Sequence, residues 1–287
     1  MKTYFDCIPC FLRQALSAAR LISPDKNIHE LVMRNVLRKT AEMDLNQPPP
    51  AMGRLIYQMV REISGNNDPY KSIKDKYNQF VLGLYPEFQK IILTADKPFE
   101  VAVRLAIAGN IIDFGVGSDI RTADVYDIVN QSITQELVGS IEKLEHAISA
   151  ANKILYLGDN SGEIVFDRLL IEQLPREKIT YAVRGYPIIN DVTMADAEAT
   201  GITDLVKVVD NGSDAPGTLL DQCSNEFCDI FAEADLIISK GQGNYESLSD
   251  THKNIFFIFM VKCPVVASNT GHPKGSIVII ASEAALF

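Results

Sequence analysis

The spacing of apolar residues divides the chain into two halves of different character. Up to about residue 150, apolar residues recur three and four positions apart, as in Phe11, Leu12, Ala15 and Ala19. This spacing is typical of amphipathic helices, so we expect an all-helical first half without a convincing strand. The predicted helices lie at 7–22, 24–41, 51–63, 70–85, 87–94, 99–110 and 132–151, with breaks at Pro86 and at 111–117.

After residue 151 the pattern changes to short apolar runs that alternate with helical segments. The predicted strands lie at 153–157, 179–183, 205–209, 235–239 and 255–261, and a sixth lies at 276–280. Such alternation predicts a mainly parallel sheet with helices on both faces. The fold class is therefore α/β, with a helical domain at 1–150 and an α/β domain at 151–287.

A polar segment follows the first predicted strand and leads directly into a helix. Asp159 and Asn160 offer hard oxygen ligands, while Ser161, Gly162 and Glu163 lie where a helix N-terminus presents free N–H groups to an anion. Ligands bind at this position in open α/β sheets. The segment therefore suits a metal-bound phosphate ester, although Asp159 and Asn160 could equally cap the helix.

The second and third predicted strands also end in polar clusters. Asn190 and Asp191 form another pair of hard ligands, and Arg184 can bind phosphate or carboxylate with both arms of its guanidinium. The alternative interpretation is that Asp191 caps a helix and Arg184 lies on the surface. The third strand ends in a loop at 210–218 that is rich in glycine and hydrogen-bonding residues.

The fourth predicted strand ends in a lysine followed by a glycine-rich turn. Lys240 can meet an anion, and Gly241 and Gly243 let backbone N–H groups approach it before Asn244. The segment is not a Walker A loop, and no G-x-G-x-x-G fingerprint follows the first strand. Polar clusters at four successive strand ends indicate one shared site more strongly than any single cluster does.

Composition and charge limit the kinds of molecule that the protein is expected to bind. The 287 residues are 47% hydrophobic and 22% charged, which is typical of a globular protein with a sizeable core. A net charge of −10 and a pI near 4.9 argue against nucleic acid or an anionic membrane as partner. The longest apolar run, 255–261, is too short to span a membrane, and 1–6 lack the apolar core of a secretory signal. We therefore expect a cytoplasmic protein.

The cysteines do not form an obvious disulfide framework, since five are spread through the chain. Cys7 and Cys10 have the spacing of half a zinc site, of a redox pair or of two buried thiols. A zinc site would need further ligands, and Cys263 is one residue that folding could bring close to this pair. The histidines show no metal-ligand pairing, and His272 is either a surface residue or a border of the pocket. Ser161 lacks the context of a nucleophile elbow, which argues against a serine hydrolase.

Four motifs in this order resemble the metal-dependent damage-control phosphatases, first catalogued as domain of unknown function 89. They are the segments 158–163, 190–193, 216–218 and 240–244. The Cys-x-x-Cys at 7–10 and the Lys-Cys at 262–263 resemble the prokaryotic subfamily. The resemblance covers about residues 4–280.

The resemblance implies a phosphatase on a Rossmann-like domain preceded by a helical domain. Its substrates would be phosphate esters of small metabolites, such as damaged sugar phosphates or phosphopantetheine-type compounds, and its cofactor a divalent ion (Mg, Mn, Co or Ni). The implied metal ligands are Asp159, Asn160 and Asp191. Glu163, Asn190, Lys240 and the backbone at Gly241 and Gly243 would hold the phosphate or orient water. We add Ser161, Gly162, Arg184 and Asn244 as candidate substrate-binding residues.

Two other functions fit parts of the pattern. An S-adenosylmethionine-dependent methyltransferase also has an acidic, glycine-bearing loop after its first strand, but the run of spaced glycines that such a cofactor needs is missing. A non-catalytic phosphometabolite-binding protein would use the same anion site without hydrolysis. Within the phosphatase interpretation, metal-activated water is favoured over attack by Asp159 itself. The oligomeric state and any protein partners are open.

Overall fold

A single mixed sheet lies at the centre of the molecule. The computed structural model describes residues 1–112 and 121–286, and within these ranges the sheet has seven strands. In chain order they are β1 Leu137–Val138, β2 Ile154–Leu157, β3 Ile179–Val183, β4 Lys207–Asp210, β5 Leu236–Lys240, β6 Ile255–Met260 and β7 Ile277–Ala281. Their spatial order is β1-β7-β6-β5-β2-β3-β4. All neighbours pair in parallel except β6 and β7.

The helices account for most of the remaining described residues. They are α1 Cys7–Ile22, α2 Lys26–Glu42, α3 Pro49–Ser64, α4 Lys71–Leu93, α5 Pro98–Ile111, α6 Thr122–Thr134, α7 Ile141–Ala150, α8 Glu163–Ile171, α9 Met194–Thr200, α10 Asn225–Glu233, α11 Gln242–Leu248 and α12 Pro264–Thr270. Single 3₁₀ turns lie at Arg176–Lys178, Leu220–Gln222 and Glu283–Leu286.

Side chains of the central strands alternate between two apolar layers. Tyr156 packs in the layer that contains α5 and α8, whereas its neighbours Leu155 and Leu157 pack with Phe227 of α10 and Tyr245 of α11. Successive side chains of a strand point to opposite faces, so both faces of the sheet are covered. This burial on both sides explains why β2, β6 and the first three residues of β5 are continuous apolar runs rather than alternating ones.

The predicted fold class is confirmed, and so are most of the predicted elements, with strand ends shifted by one or two residues. The predicted break at Pro86 is wrong, because α4 continues through this proline. The predicted helix at 132–151 is also wrong. It comprises the end of α6, the two-residue strand β1 and α7, so the first half does contain a strand. Of the predicted break at 111–117, residues 113–117 lie outside the described residues.

The division into domains at residue 150 stays a prediction. Helices α1–α3 enclose an apolar cluster of their own, while α4–α7 share a cluster with the sheet and with α8. Strand β1 pairs in parallel with β7. A search of the described ranges finds no helix that is long and apolar enough to cross a membrane. The expected cytoplasmic location stays a prediction.

Candidate active site

The ends of three neighbouring parallel strands converge on one cavity. Strand β2 lies between β5 and β3, so the segments that follow these strands leave the sheet at the same edge. They bring Asp159, Asn160 and Asp191 to a cavity of about 410 Å³. Helices α1 and α3 form part of the opposite wall. The cavity therefore lies between the sheet and the N-terminal helices.

Backbone hydrogen bonds fix the two acidic loops against each other. The N–H of Val192 donates to the carbonyl of Asp159 at 2.9 Å, and the N–H of Ser161 donates to the carbonyl of Asn190 at 2.8 Å. Asn160 and Asp191 thereby form an isolated antiparallel bridge. The ladder holds the polar side chains of both loops at a fixed separation. Asn190 takes part through its carbonyl, and it also lines the cavity.

Gly241 allows the third loop to approach Asp159 closely. Its φ is +80°, and a Cβ at this position would lie 1.9 Å from Oδ2 of Asp159. Any side chain at 241 would therefore displace the Asp159 carboxylate. Gly243 is similarly confined, because a Cβ there would lie 2.5 Å from the Pro216 carbonyl oxygen. The absence of a side chain at these two glycines thus leaves space for the Asp159 carboxylate and the Pro216 carbonyl.

Two amide groups bridge the carboxylates of Asp159 and Glu163. Nδ2 of Asn160 donates to Asp159 Oδ2 at 2.7 Å and to Glu163 Oε2 at 3.2 Å. Nδ2 of Asn110, from α5, donates to the same two oxygens at 3.2 Å each. Because the Asn160 amide nitrogen faces the carboxylates, its Oδ1 points away from them. Asp159 Oδ1 is likewise left without a hydrogen bond from the described residues, and its guanidinium neighbour Arg184 lies 3.9 Å away.

Arg184 is a buried partner of Asp191, which excludes the alternative that it lies on the surface. Its side chain is 2% exposed, and its Nε donates to Asp191 Oδ2 at 2.7 Å. The rest of the guanidinium contacts Thr218 Oγ1 and Asn244 Oδ1. Helix α9 is capped by Thr193, so Asp191 does not cap it. Arg184 thus holds Asp191, and Asn244 in turn contacts Arg184. Neither residue lines the cavity, so their predicted role in substrate binding stays a prediction.

Lys240 is placed differently from the expectation that it faces a bound phosphate. Its side chain is 0% exposed, and its Nζ donates to Glu163 Oε1 at 2.7 Å, Asp167 Oδ1 at 2.5 Å and the Ala106 carbonyl at 3.0 Å. An ammonium group has three donors, so all of them are used. Both Glu163 oxygens are also occupied. Lys240 and Glu163 therefore lie beneath the cavity, and the prediction that they face substrate needs correction.

The start of α8 is not an open anion site. The N–H of Gly162 donates to Oδ1 of Asn78 from α4 at 2.7 Å, and Ser161 is fully buried. The predicted role of Ser161 and Gly162 in substrate binding therefore needs correction, because this part of the helix terminus is already closed. No side chain caps α8, so the alternative that Asp159 or Asn160 caps the helix does not hold.

The buried charges of the site do not balance. Within the described ranges its carboxylates outnumber its buried cations by four to two, the set being Asp159, Glu163, Asp167 and Asp191 against Arg184 and Lys240. Burial raises the pKa of Asp159 well above its usual range, and repulsion from Glu163 and Asp191 adds to this rise. Burial raises the pKa of Asp191 as well, despite its ion pair with Arg184. Counted as ionised, these six buried groups have a deficit of two positive charges, and Lys262, Arg13 and Glu246 add further charges on the cavity wall.

Several residues of the site were missed in the sequence. Asn110 ends a strongly apolar helix, and an isolated amide in such a helix is a signal that could have identified it. Asn78 lies in α4 and Asp167 in the almost fully buried α8, and neither belongs to a sequence motif. Arg13 and Lys262 are the cations among the described residues that line the cavity, and both are exposed. Their positions depend on how α1 and the segment after β6 fold back over the sheet.

Cys7, Cys10 and Cys263 all line the same cavity, at the side formed by α1. Burial raises the pKa values of the Cys7 and Cys10 thiols. No three histidine, cysteine, aspartate or glutamate residues of the described chain are arranged to hold a metal ion. The zinc interpretation of the cysteines therefore lacks a third ligand here. His272 is half-buried and does not line the cavity.

Comparisons with known proteins agree with the resemblance read from the motifs. The damage-control phosphatase ARMT1-like domain matches residues 3–278. A damage-control phosphatase of Pyrococcus horikoshii is 34% identical, with 99% of each chain covered. One of Archaeoglobus fulgidus is 34% identical, with 97% of this chain and 98% of the relative covered.

A solved structure extends this likeness to the fold. The crystal structure of a protein of Pyrococcus horikoshii from the family of domain of unknown function 89 has a TM-score of 0.91 and 32% identity. It covers 99% of this chain, and this chain covers all of it. The likeness spans both halves of the chain. The chain therefore belongs to the damage-control phosphatase ARMT1-like family, and its enzyme class is that of a phosphatase rather than a methyltransferase.

Proposed function

We propose that this phosphatase hydrolyses phosphate monoesters of small metabolites and that it depends on a divalent metal ion held by Asp159, Asn160 and Asp191. The deficit of two positive charges is the observation that carries the metal assignment. A divalent ion would remove this deficit, and buried carboxylates are otherwise costly to keep ionised.

The donor set fits such an ion. Asp159 Oδ1, Asn160 Oδ1 and Asp191 Oδ1 receive no hydrogen bond from residues 1–112 or 121–286, and their three residues line the cavity. Two carboxylates and an amide are hard oxygen ligands, which suit magnesium and manganese and also admit cobalt and nickel. Hydrogen bonds to the opposite oxygens of Asp159 and Asp191 keep these donors turned toward the cavity.

The metal ion and the protein residues would make different contributions to the reaction. When bound, a divalent ion would stabilise charge on the phosphoryl oxygens and favour attack by water. Arg184 and the two bridging amides hold the carboxylates in position. Lys262 and Arg13 supply cations on the cavity wall, where they can offset the charge of the phosphate. Positioning and electrostatics of this kind provide most of the catalysis in phosphoryl transfer.

The size of the cavity supports a small substrate. Its volume of about 410 Å³ lies at the lower end of the range for small-molecule sites, roughly 300–1,000 Å³. The relatives' name, damage-control phosphatase, supports a damaged metabolite as substrate, and sugar phosphates or phosphopantetheine-type compounds are the classes that we propose. Helix α1 contributes thiols and Arg13 to the wall that the leaving group would contact.

The test is phosphate release from p-nitrophenyl phosphate by chelator-stripped protein. Magnesium, manganese, cobalt and nickel are added back separately to the wild type, to Asp191→Asn and to the control Asp229→Asn, which changes an exposed aspartate of α10. We expect at least one ion to restore turnover in the wild type and the control but not in Asp191→Asn. A folded wild type that releases no phosphate with any ion would contradict the proposal, as would equal turnover in Asp191→Asn.

A further inference from the structure

Asn110 is the most deeply buried polar residue of α5, and it contacts the Asp159 carboxylate without lining the cavity. It is 1% exposed, near the end of a helix whose other residues form much of the core. Burial of an amide is unfavourable unless its donors and its acceptor are all satisfied. The partners of this side chain therefore indicate why an asparagine is present at this position.

Both the nitrogen and the oxygen of the Asn110 side-chain amide form hydrogen bonds. Its Nδ2 donates to Asp159 Oδ2 and to Glu163 Oε2, each at 3.2 Å. Its Oδ1 accepts from the N–H of Met260 at 3.1 Å, at the end of β6. The side chain thus connects α5 with the loop after β2, the start of α8 and the carboxyl end of β6.

These contacts determine which oxygen of Asp159 faces the cavity. The carboxylate can rotate about its Cβ–Cγ bond, and without a donor beneath it, either oxygen could turn toward the cavity. The Asn110 and Asn160 amides both hold Oδ2 on the inner side, next to Glu163 Oε2. The amides also lie between two carboxylates that would otherwise repel each other. Asp159 Oδ1 is the oxygen that remains for a ligand in the cavity.

We propose that Asn110 is a positioning residue for the divalent ion, which acts by holding Asp159 and Glu163 from beneath. This inference rests on the proposed function, because Asp159 is a ligand only if the cavity binds a metal. Hydrogen-bond partners of metal ligands orient those ligands, and their loss typically lowers metal affinity or activity by roughly 10–100-fold. Asn110 does not line the cavity, so its effect on substrate is indirect.

The experiment compares Asn110→Ala with the wild type and with Ile107→Val, which makes a small cavity one turn earlier on the same helix. Calorimetric titration of chelator-stripped protein with Mn²⁺ measures the Kd directly, without turnover. We expect the Kd of Asn110→Ala to rise by about 10–100-fold, while that of Ile107→Val stays within about threefold of the wild type. The melting temperature of each variant is recorded without metal.

Turnover separates positioning from a general loss of structure. At saturating Mn²⁺, we expect Asn110→Ala to recover most of its kcat, because excess ion compensates for weaker binding. An unchanged Kd in Asn110→Ala would overturn the inference. So would an equal rise in Ile107→Val, since loosening of the helix would then explain the effect. A wild type that binds no Mn²⁺ would instead contradict the proposed metal site itself, so the two failures are distinguishable.

Discussion

Two groups of buried charges lie at adjacent strand ends and differ in how completely they are paired. In the upper group, Asp159 and Asp191 line the cavity, and each has one oxygen that accepts hydrogen bonds and one that accepts none from the described residues. In the lower group, Lys240 donates to Glu163 and Asp167 and has no donor left. Each group has two carboxylates to one cation. All carboxylate oxygens of the lower group accept hydrogen bonds, whereas the upper group leaves Asp159 Oδ1 and Asp191 Oδ1 without one from the described residues.

The difference indicates that the motif residues have two separate functions. Residues of the upper group are arranged at a cost to the metal-free fold, because buried carboxylates without sufficient cations repel each other. Residues of the lower group hold the upper one in place. Removal of the cation of the lower group should therefore destabilise the metal-free protein, whereas removal of a carboxylate charge from the upper group should stabilise it, and the following variants test this.

The largest effect on stability is expected from Lys240→Met. Removal of the ammonium leaves Glu163 and Asp167 as buried charges without a cation, and the loss of one partner of a buried ion pair costs about 3–5 kcal/mol. Urea unfolding of metal-free protein measures this cost. Lys274→Met, at an exposed lysine, serves as control and should change the free energy of unfolding by less than about 0.5 kcal/mol. A loss below about 1 kcal/mol in Lys240→Met would mean that the lower group is not held by its lysine.

Gly241→Ala should disturb the upper group, because the added Cβ would lie 1.9 Å from Asp159 Oδ2. We expect a loss of about 1–3 kcal/mol in stability from clash and backbone strain, and a weaker metal site. Gly271→Ala is the matched control. Its φ is also positive, at +74°, but a Cβ there would meet nothing within 4 Å. Unchanged Mn²⁺ affinity in Gly241→Ala would show that Asp159 does not depend on this close approach.

Asp159→Asn should stabilise the metal-free protein by about 1–2 kcal/mol at pH 7, because it removes one uncompensated buried charge. The new amide can still accept from Asn110 and Asn160 through its oxygen. Burial raises the pKa of Asp159 above its value in the unfolded chain. Such a group stabilises the fold fully below its unfolded pKa, near 4, and loses this contribution as pH rises through the folded pKa.

The advantage of Asp159→Asn should therefore shrink as pH falls toward about 4. Urea unfolding of both chelator-stripped proteins from pH 4 to pH 8 measures the difference. A variant that is less stable than the wild type at pH 7 would show that the upper group is not short of positive charge.

The sheet and the position of the site could be predicted from the sequence. Continuous apolar runs identified the central strands because these are buried on both faces, and polar clusters at their carboxyl ends identified the loops that meet at the cavity. Strand β1 has two residues, which is too short for a periodic signal, and α4 continues through Pro86 because the surrounding packing outweighs a local preference.

The direction in which each polar side chain points could not be predicted from the sequence. All three donors of Lys240 are used, by a carbonyl of α5 and two carboxylates of α8, and no local sequence pattern predicts these contacts. The same holds for Gly162, whose N–H is taken by Asn78 of α4. Lys262 lines the cavity because the segment after β6 folds over it. These pairings depend on tertiary packing of the N-terminal helices against the sheet.

Calorimetric titration with Mn²⁺ of chelator-stripped wild type, Asp191→Asn and Asp229→Asn tests the account most directly. We predict one ion bound per chain in the wild type and in Asp229→Asn, and an affinity at least about 100-fold lower in Asp191→Asn, beyond the usual effect of an outer hydrogen-bond partner. Equal binding by Asp191→Asn and the wild type would contradict the claim that the cavity-facing oxygens of Asp159, Asn160 and Asp191 hold the ion.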